Sequence, residues 1–208
     1  RIKKIFLNLV IFDLVYTLIY MEHIDILDKA GNKTGDTATN DEAHKKGLIH
    51  KVVHIWIINS KGEILLQKRN KLKKAYPLHW DMSAAGHIDS GETSLEAAKR
   101  ETFEELGLSL KNSSFNLLIT LQENTVLNQG VYVNNEFQDV YVVHLDMDIS
   151  LLRIGLNEVE EVKWTNIVDF KKMTEGKGEL LFPHTEEHKI VLDYLKNITV
   201  PVSREGSK

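Results

Sequence analysis

The sequence contains no cysteine. That excludes disulfides, thiolate metal centres and a cysteine nucleophile, and it agrees with a reducing, cytoplasmic location. Basic residues are not in excess. Lysine and arginine number 26 against 30 aspartates and glutamates, for a formal net charge of −4 and a sequence pI near 6.2. A protein whose main partner is a nucleic-acid polymer needs a basic face, so no such partner is expected. An anionic small substrate stays open, because a bound cation can supply positive charge. No uninterrupted apolar run reaches the ~20 residues of a membrane span, and no stable membrane association is expected. Internal repeats and low-complexity tracts are also missing. What remains is an ordinary globular composition, 42% hydrophobic and 27% charged over 208 residues, enough for one core and hardly for two.

Residues 1–20 stand apart. Arg1, Lys3 and Lys4 make a basic start, and an apolar stretch follows to Tyr20. This resembles the pattern of a targeting peptide, but Asn8 and Asp13 interrupt the run and no small-residue cleavage site follows. The stretch reads as a leader or appended apolar segment, with an amphipathic element packed on the domain as the alternative. It holds no motif residue and is expected to be dispensable. A well-patterned domain starts at Met21 and is read as spanning 21–208.

Along that domain, 22–27 reads as a strand and 28–33 as a Gly- and Asn-containing hairpin turn. Residues 36–46 are polar and read as a loop or short helix. The β-branched run 49–59 has the character of a buried strand, returning over 63–68 after a Ser60-Lys61-Gly62 turn. Residues 76–85 look irregular. The spacing predicts a helix over 94–106, with Thr93 or Ser94 as N-cap and Gly107 just past its end. Strands are expected at 116–122, 131–133, 137–146 and 158–166, a short helix at 167–174, and a last helix from Pro183 to about Lys196. Strands before, between and after the helices imply an α/β (α+β) fold, a mixed sheet between helices.

The densest chemical signal lies at 86–108. Gly86 and five spacers lead to Glu92; seven more residues lead to Arg100-Glu101, then Glu104-Glu105 and Gly107-Leu108. Glu101, Glu104 and Glu105 stand at i, i+3 and i+4 and share one helical face, while Leu95, Ala98, Thr102 and Leu106 form a neighbouring face for packing. Like charges so placed repel and weaken the helix. A solvated acidic stripe is the bland alternative. A hard-oxygen cluster suited to Mg²⁺ or Mn²⁺ is the chemical one, and the glycine loop before it favours the second.

This spacing resembles the Nudix box. All seven fixed Gly, Glu and Arg positions match, a coincidence on the order of 10⁻⁸ per start position at typical residue frequencies. The one departure is Thr102 at an apolar position. The resemblance implies a Nudix fold and a hydrolase that cleaves the diphosphate linkage of a small organic molecule, nucleoside or other, with Mg²⁺ or Mn²⁺ as cofactor. It implies Glu101, Glu104 and Glu105 as metal ligands, together with the backbone carbonyl of Ala85, and one of these glutamates as catalytic base. Glu92 and Arg100 are implied as a structural ion pair, with Gly86 and Gly107 as structural glycines. A homodimer is compatible with this reading.

A second likeness spans about 22–164. Glu22-His23-Ile24, Thr34-Gly35, His44, His50, Lys74-Ala75-Tyr76-Pro77 and Trp80 resemble isopentenyl-diphosphate isomerases of the metal-dependent type, themselves Nudix-fold proteins. Their metal histidines fall at His44, His50 and His87. Their catalytic cysteine falls at Ala85, and their paired glutamates at Asn134 and Glu136. The cysteine and one glutamate are thus absent here, while the box, degraded in the isomerases, is intact. The pattern resembles a hydrolase branch on isomerase architecture, with Glu136 kept as a catalytic candidate. A non-catalytic nucleotide-binding module is the remaining alternative.

Other candidates have two readings each. His44, His50 and His87 are metal or phosphate contacts, or ordinary partly buried histidines. Arg69, with Lys68, Lys71, Lys73 and Lys74, contacts phosphate or forms a solvated loop. Trp80 and Trp164 stack on a ring or fill the core. Glu158 or Glu161 supplies a further ligand or base, or is a surface charge.

Overall fold

The computed structural model describes residues 23–127 and 132–199; the leader reading for residues 1–20 and the strand start at Val131 lie outside the described residues. A hairpin, β1 (His23–Leu27) and β2 (Lys33–Thr39), leads into helix α1 (Asn40–Lys46). Thr39 caps α1, its side chain accepting from the Glu42 amide. The stretch 36–46, read as a loop or short helix, is therefore part strand and part helix. In its strand half Ala38 is the one buried residue, too little for an apolar alternation to mark it.

The main sheet has seven strands: β3 (His50–Ile58), β4 (Ile64–Arg69), β5 (Trp80–Asp81), β6 (Ala84–His87), β7 (Phe115–Leu127), β8 (Tyr132–His144) and β9 (Val159–Thr165). The path β5-β4-β3-β8-β7 is extended by β6 on β3 and β9 on β4. Only β3–β8 is parallel, which makes the sheet mixed. Three expected strands at 116–122, 131–133 and 137–146 are in fact one long antiparallel hairpin, β7–β8. Polar residues such as Glu123, Asn124, Asn135 and Glu136 break the apolar pattern, yet main-chain pairing joins 123–127 to 132–136.

Helices α2 (Ser94–Leu106), α3 (Ile167–Thr174) and α4 (Thr185–Thr199) cover the two faces. Side chains alternate along a strand. From β3, Val53, Ile55 and Ile57 join Ala97, Ala98 and Leu106 of α2 on one face. Trp56 and Ile58 join Phe170, Met173, Val191 and Leu195 of α3 and α4 on the other. Thr102, the departure from an apolar position, is fully buried, and its hydroxyl donates to the Ala98 carbonyl, 2.6 Å away. The helix thereby satisfies its own polar group.

On the α4 face the sheet changes character along its length. Trp56, Val140 and Val142 are core, whereas His50, His54, Asn134, Glu136 and Gln138 are buried polar residues on the same alternation. Of that polar end, His54, Asn134 and Glu136 line a cavity. Helix α4 is anchored at this boundary. Glu187 accepts from His54 Nδ1 at 2.7 Å and from Trp56 Nε1 at 2.6 Å. Burial alone would raise the Glu187 carboxyl, but His54 beside it, with His184 and Trp56, holds it down to about 2. Replacing Glu187 by Ala leaves His54 and Trp56 buried without their acceptor. Stability to urea should fall by about 3 kcal/mol; a loss under about 1 kcal/mol would mean that apolar contacts alone dock the helix.

Candidate functional site

Strand β6 brings Ala85, Gly86 and His87 to the cavity, and the loop after it leads to the N-terminus of α2. Thr93 caps α2 in a reciprocal capping box with Glu96. Gly107 ends the helix in the left-handed region, φ 72°. A side chain there would lie 2.8 Å from Arg153 Cβ, so Gly107 allows both the turn and the close packing.

Arg100 ties the loop to the helix. Its Nη2 and Nε donate to the two Glu92 oxygens at 2.9 and 3.1 Å, and Nη2 also reaches the His87 carbonyl at 2.8 Å. Its Nη1 donates to Glu101 at 2.7 Å and to Glu104 at 3.2 Å. The expected Glu92–Arg100 pair is thus present, as a bidentate contact inside a larger network.

Glu105 is buried on the cavity wall, Glu101 beside it is 13% exposed, and Glu104 is half exposed at the rim. The Glu101 carboxylate rests over Gly86, where a Cβ would lie 2.0 Å from its Oε1. Glu105 Oε2 accepts from Gln67 Nε2 at 2.9 Å and from the Ala85 amide at 3.0 Å. Burial, then the charge of Glu105, pushes Glu101 up to about 8 despite Arg100. Burial pushes Glu105 up to about 7, against the pull of Lys73. Buried carboxylates with too little positive charge are a donor set that a divalent cation fits.

A second cluster adjoins the first through His87. His44, His50, His87 and Glu136 offer ligand atoms within 4.8 Å of one another. His44 Nδ1 faces the Val133 carbonyl at 3.1 Å and His50 Nδ1 the Leu48 carbonyl at 2.9 Å. These carbonyls hold the Nδ1 hydrogens outward and leave the Nε2 lone pairs for the cluster. His50 Nε2 is buried with no hydrogen-bond partner, 3.6 Å from Glu136 Oε1, and His44 Nε2 lies 3.0 Å from His87 Nε2. Burial, then the neighbouring His50, lowers His87 to about 3. Burial would raise Glu136, but the histidines, His50 first, hold it down to about 2. Imidazole nitrogens beside a carboxylate are the donor set of a metal site, and the orphaned His50 nitrogen fits one. Asn134, on the same strand, has a buried side-chain oxygen without a partner.

The cavity is about 420 Å³ in volume. Of the basic run, Arg69, Lys73 and Lys74 line it, Lys73 paired with Glu158; Lys68 instead pairs with Glu161 at 3.6 Å, outside the lining. Trp80 is buried in the core beside α3 and α4, and Trp164 packs on the α2 face, so neither meets the cavity. Sequence reasoning passed over His54, Asp81, Tyr132, Phe182 and His184, all of which line it. His54 carried a signal, a histidine inside an otherwise apolar strand. His184 carried none beyond its place after Pro183.

A family model described as a NUDIX domain matches residues 48–183. Nudix hydrolase 3 of Arabidopsis thaliana is 37% identical over 166 residues, which is 78% of this chain; the match spans only 22% of that longer protein. An isopentenyl-diphosphate Delta-isomerase of Cutibacterium acnes is 29% identical over 174 residues, covering 82% of this chain and 87% of the isomerase. The crystal structure of DR0079 from Deinococcus radiodurans shares the fold, with a TM-score of 0.65 at 20% identity over 81% of this chain and 98% of that one.

The contact between Gly86 and Glu101 is testable. In Gly86→Ala the flexible carboxylate can swing away, so the fold should survive with little change in melting temperature. The carboxylate then leaves its position, and a displacement of about 1 Å in a catalytic group costs roughly a hundredfold in rate. Turnover of any diphosphate substrate should fall by that order, measured beside the melting curve; native turnover would show that Glu101 need not lie over residue 86.

Proposed function

The chain belongs to the Nudix family, and from that premise we propose that it hydrolyses the diphosphate linkage of a small organic molecule with Mg²⁺ or Mn²⁺ as cofactor. The observation that carries this reading is the pair of buried Glu105 and part-buried Glu101, lining a cavity that Arg69 and Lys73 also line. In this reading Glu101 and Glu105 hold the cation, with Glu104 at the rim and the Ala85 carbonyl as further donors. When bound, the cation neutralises phosphate charge and acidifies a water. Arg69, held by Asp81 at 3.0 Å and by the Ala75 carbonyl at 3.1 Å, orients a phosphate oxygen. A glutamate of the cluster accepts the proton of the attacking water. The water oxygen bonds to phosphorus as the bridging P–O bond breaks, and the phosphate product leaves with the electron pair. The cluster of His44, His50, His87 and Glu136 supports a second cation beside the first.

Glu105→Gln keeps the shape of the side chain and removes its charge. It should lower kcat at least about a hundredfold in the presence of Mg²⁺ or Mn²⁺. Phosphate release from a panel of nucleotide sugars, nucleoside diphosphates, thiamine diphosphate and prenyl diphosphates measures this, and near-native turnover by a folded variant would sink the assignment.

An isomerase reading has one observation in its favour, the histidine cluster with Glu136. Allylic isomerisation needs an acid and a base on opposite faces of the carbon skeleton. Ala85 has only a methyl group, and no cysteine exists in the chain to replace it. Incubation with isopentenyl diphosphate and Mg²⁺ in D₂O should leave dimethylallyl diphosphate unlabelled. Deuterium uptake at enzyme-like rates would overturn the hydrolase reading.

A further inference from the structure

The segment between β4 and β5 bends through two residues that a left-handed backbone does not suit. Tyr76 stands at φ 45° and Leu78 at φ 59°, and neither is glycine. That region crowds a Cβ against the chain, and a residue before proline, as Tyr76 is, is normally held to extended backbone. Such strain persists only where the surroundings enforce it, and it collects at functional sites. Here both strained angles serve Arg69. A residue's φ orients the planar peptide unit that precedes it. The unit before Tyr76 carries the Ala75 carbonyl, which accepts from Arg69 Nε at 3.1 Å. The unit before Leu78 donates its amide to the Arg69 carbonyl at 3.1 Å, and its other end, the Pro77 carbonyl, faces His79 Nδ1 at 3.0 Å. The Arg69 amide in turn donates to the His79 carbonyl at 2.9 Å. Tyr76 packs its ring on Phe182, centroids 4.5 Å apart, and the guanidinium lies over Phe182 at 5.0 Å. Asp81 accepts from Nη1 at 3.0 Å, so that Nη2 is the guanidinium nitrogen with no hydrogen-bond partner among the described residues. Arg69 lines the cavity, whereas neither Tyr76 nor Leu78 does.

Resting on the hydrolase reading, we infer that Tyr76 and Leu78 are positioning residues for the substrate's phosphate: their left-handed backbone fixes the two peptide groups that hold Arg69, and with it the Nη2 donor, at the cavity wall. An arginine free to sample its rotamers loses that freedom at each binding event. The strained turn orders it beforehand, so that the cost falls on folding and not on binding. Leu78 is 47% exposed, and packing of its side chain does not account for the conformation. What matters at this position is the direction of the backbone, which acts on the substrate only through Arg69.

The test measures calorimetric affinity for inorganic diphosphate with Mg²⁺, which needs no turnover, beside KM and kcat for whichever diphosphate compound is cleaved and a melting curve for each variant. Leu78→Ile places at the turn a β-branched residue, the kind that least tolerates positive φ. The 77–78 peptide should then rotate and release Arg69. Affinity should fall about tenfold, the worth of a hydrogen bond to a charged group. KM should rise with it while kcat stays within about threefold, because binding is lost and chemistry is not. Leu78→Gly, which adopts the left-handed turn without strain, should recover that loss and melt no lower than the native protein. In an Arg69→Met background, Leu78→Ile should cost no further affinity. Native affinity in Leu78→Ile, or the same loss with Arg69 already gone, would overturn the inference while turnover keeps the hydrolase reading standing. Should Leu78→Ile fail to fold, Leu78→Gly decides: a lower melting temperature, as glycine brings at an unstrained position, would mean that the turn stores no strain and the inference fails. Absence of diphosphate binding by the native protein also overturns it. If diphosphate binds but nothing is cleaved, the hydrolase reading falls, and the affinities still decide the role of the turn.

Discussion

The guanidinium of Arg100 is the contact on which the site depends. Three glutamates on one helical face repel one another; Glu105 is buried and Glu101 part-buried. Arg100 is the side chain that bonds both Glu101 and Glu104 from within the same helix. The same group grips Glu92 and the His87 carbonyl, so the loop after β6 cannot drift from α2 without breaking a bidentate ion pair. Positions of Glu101, Gly86 and His87 are thereby set together. Its carboxylate partners keep Arg100 charged: burial opposes the charge, and Glu92 and Glu101 more than offset it and raise the pKa.

Arg100 does not reach Glu105. That carboxylate depends on Gln67 of β4 and the Ala85 amide, neutral donors that stabilise its ionised form weakly. A stability-optimised helix would not place an ionisable group there. The incomplete compensation is the local inconsistency expected of functional rather than structural residues. It recurs at His50, whose buried Nε2 lacks a hydrogen-bond partner and sits in the cluster with His44, His87 and Glu136, three residues that line the same cavity.

How much of this was legible in the sequence follows from what each part depends on. The box could be read because its residues are close in the chain: Arg100, Glu101, Glu104 and Glu105 lie on one helix, and the Gly86 loop immediately precedes it. Thr93 and Gly107 bounded that helix as expected because capping is local chemistry. The histidine cluster was reachable only through family likeness, since α1, β3, β6 and β8 each contribute one member. The β7–β8 hairpin was broken into pieces because its polar residues answer to the cavity and not to the core. The wall of His54, Asp81 and His184 joins β3, β5 and the segment before α4, and no spacing encodes such a meeting. What the sequence did carry was a residue out of character, His54 within an apolar strand, and a buried polar group of that kind needs a partner from elsewhere.

Strand alternation explains why a glutamate cluster and a histidine cluster can share so small a space. Gly86 pairs with Val53, whose side chain belongs to the α2 face, and Ala85 and His87 pair with His54 and Val52. Glu101 approaches from the α2 side because residue 86 has no side chain to block it. His87 points the opposite way, toward His44, His50 and Glu136. One short strand thus presents a glutamate site and a histidine site on its two faces, with its backbone between them. An isomerase-like chemistry would draw on the histidine face and on residue 85; a hydrolase draws on the glutamate face. In this chain the glutamate face keeps its carboxylates, its arginine and its glycine, whereas Ala85 and Asn134 leave the other face with ligands but without a proton donor at residue 85.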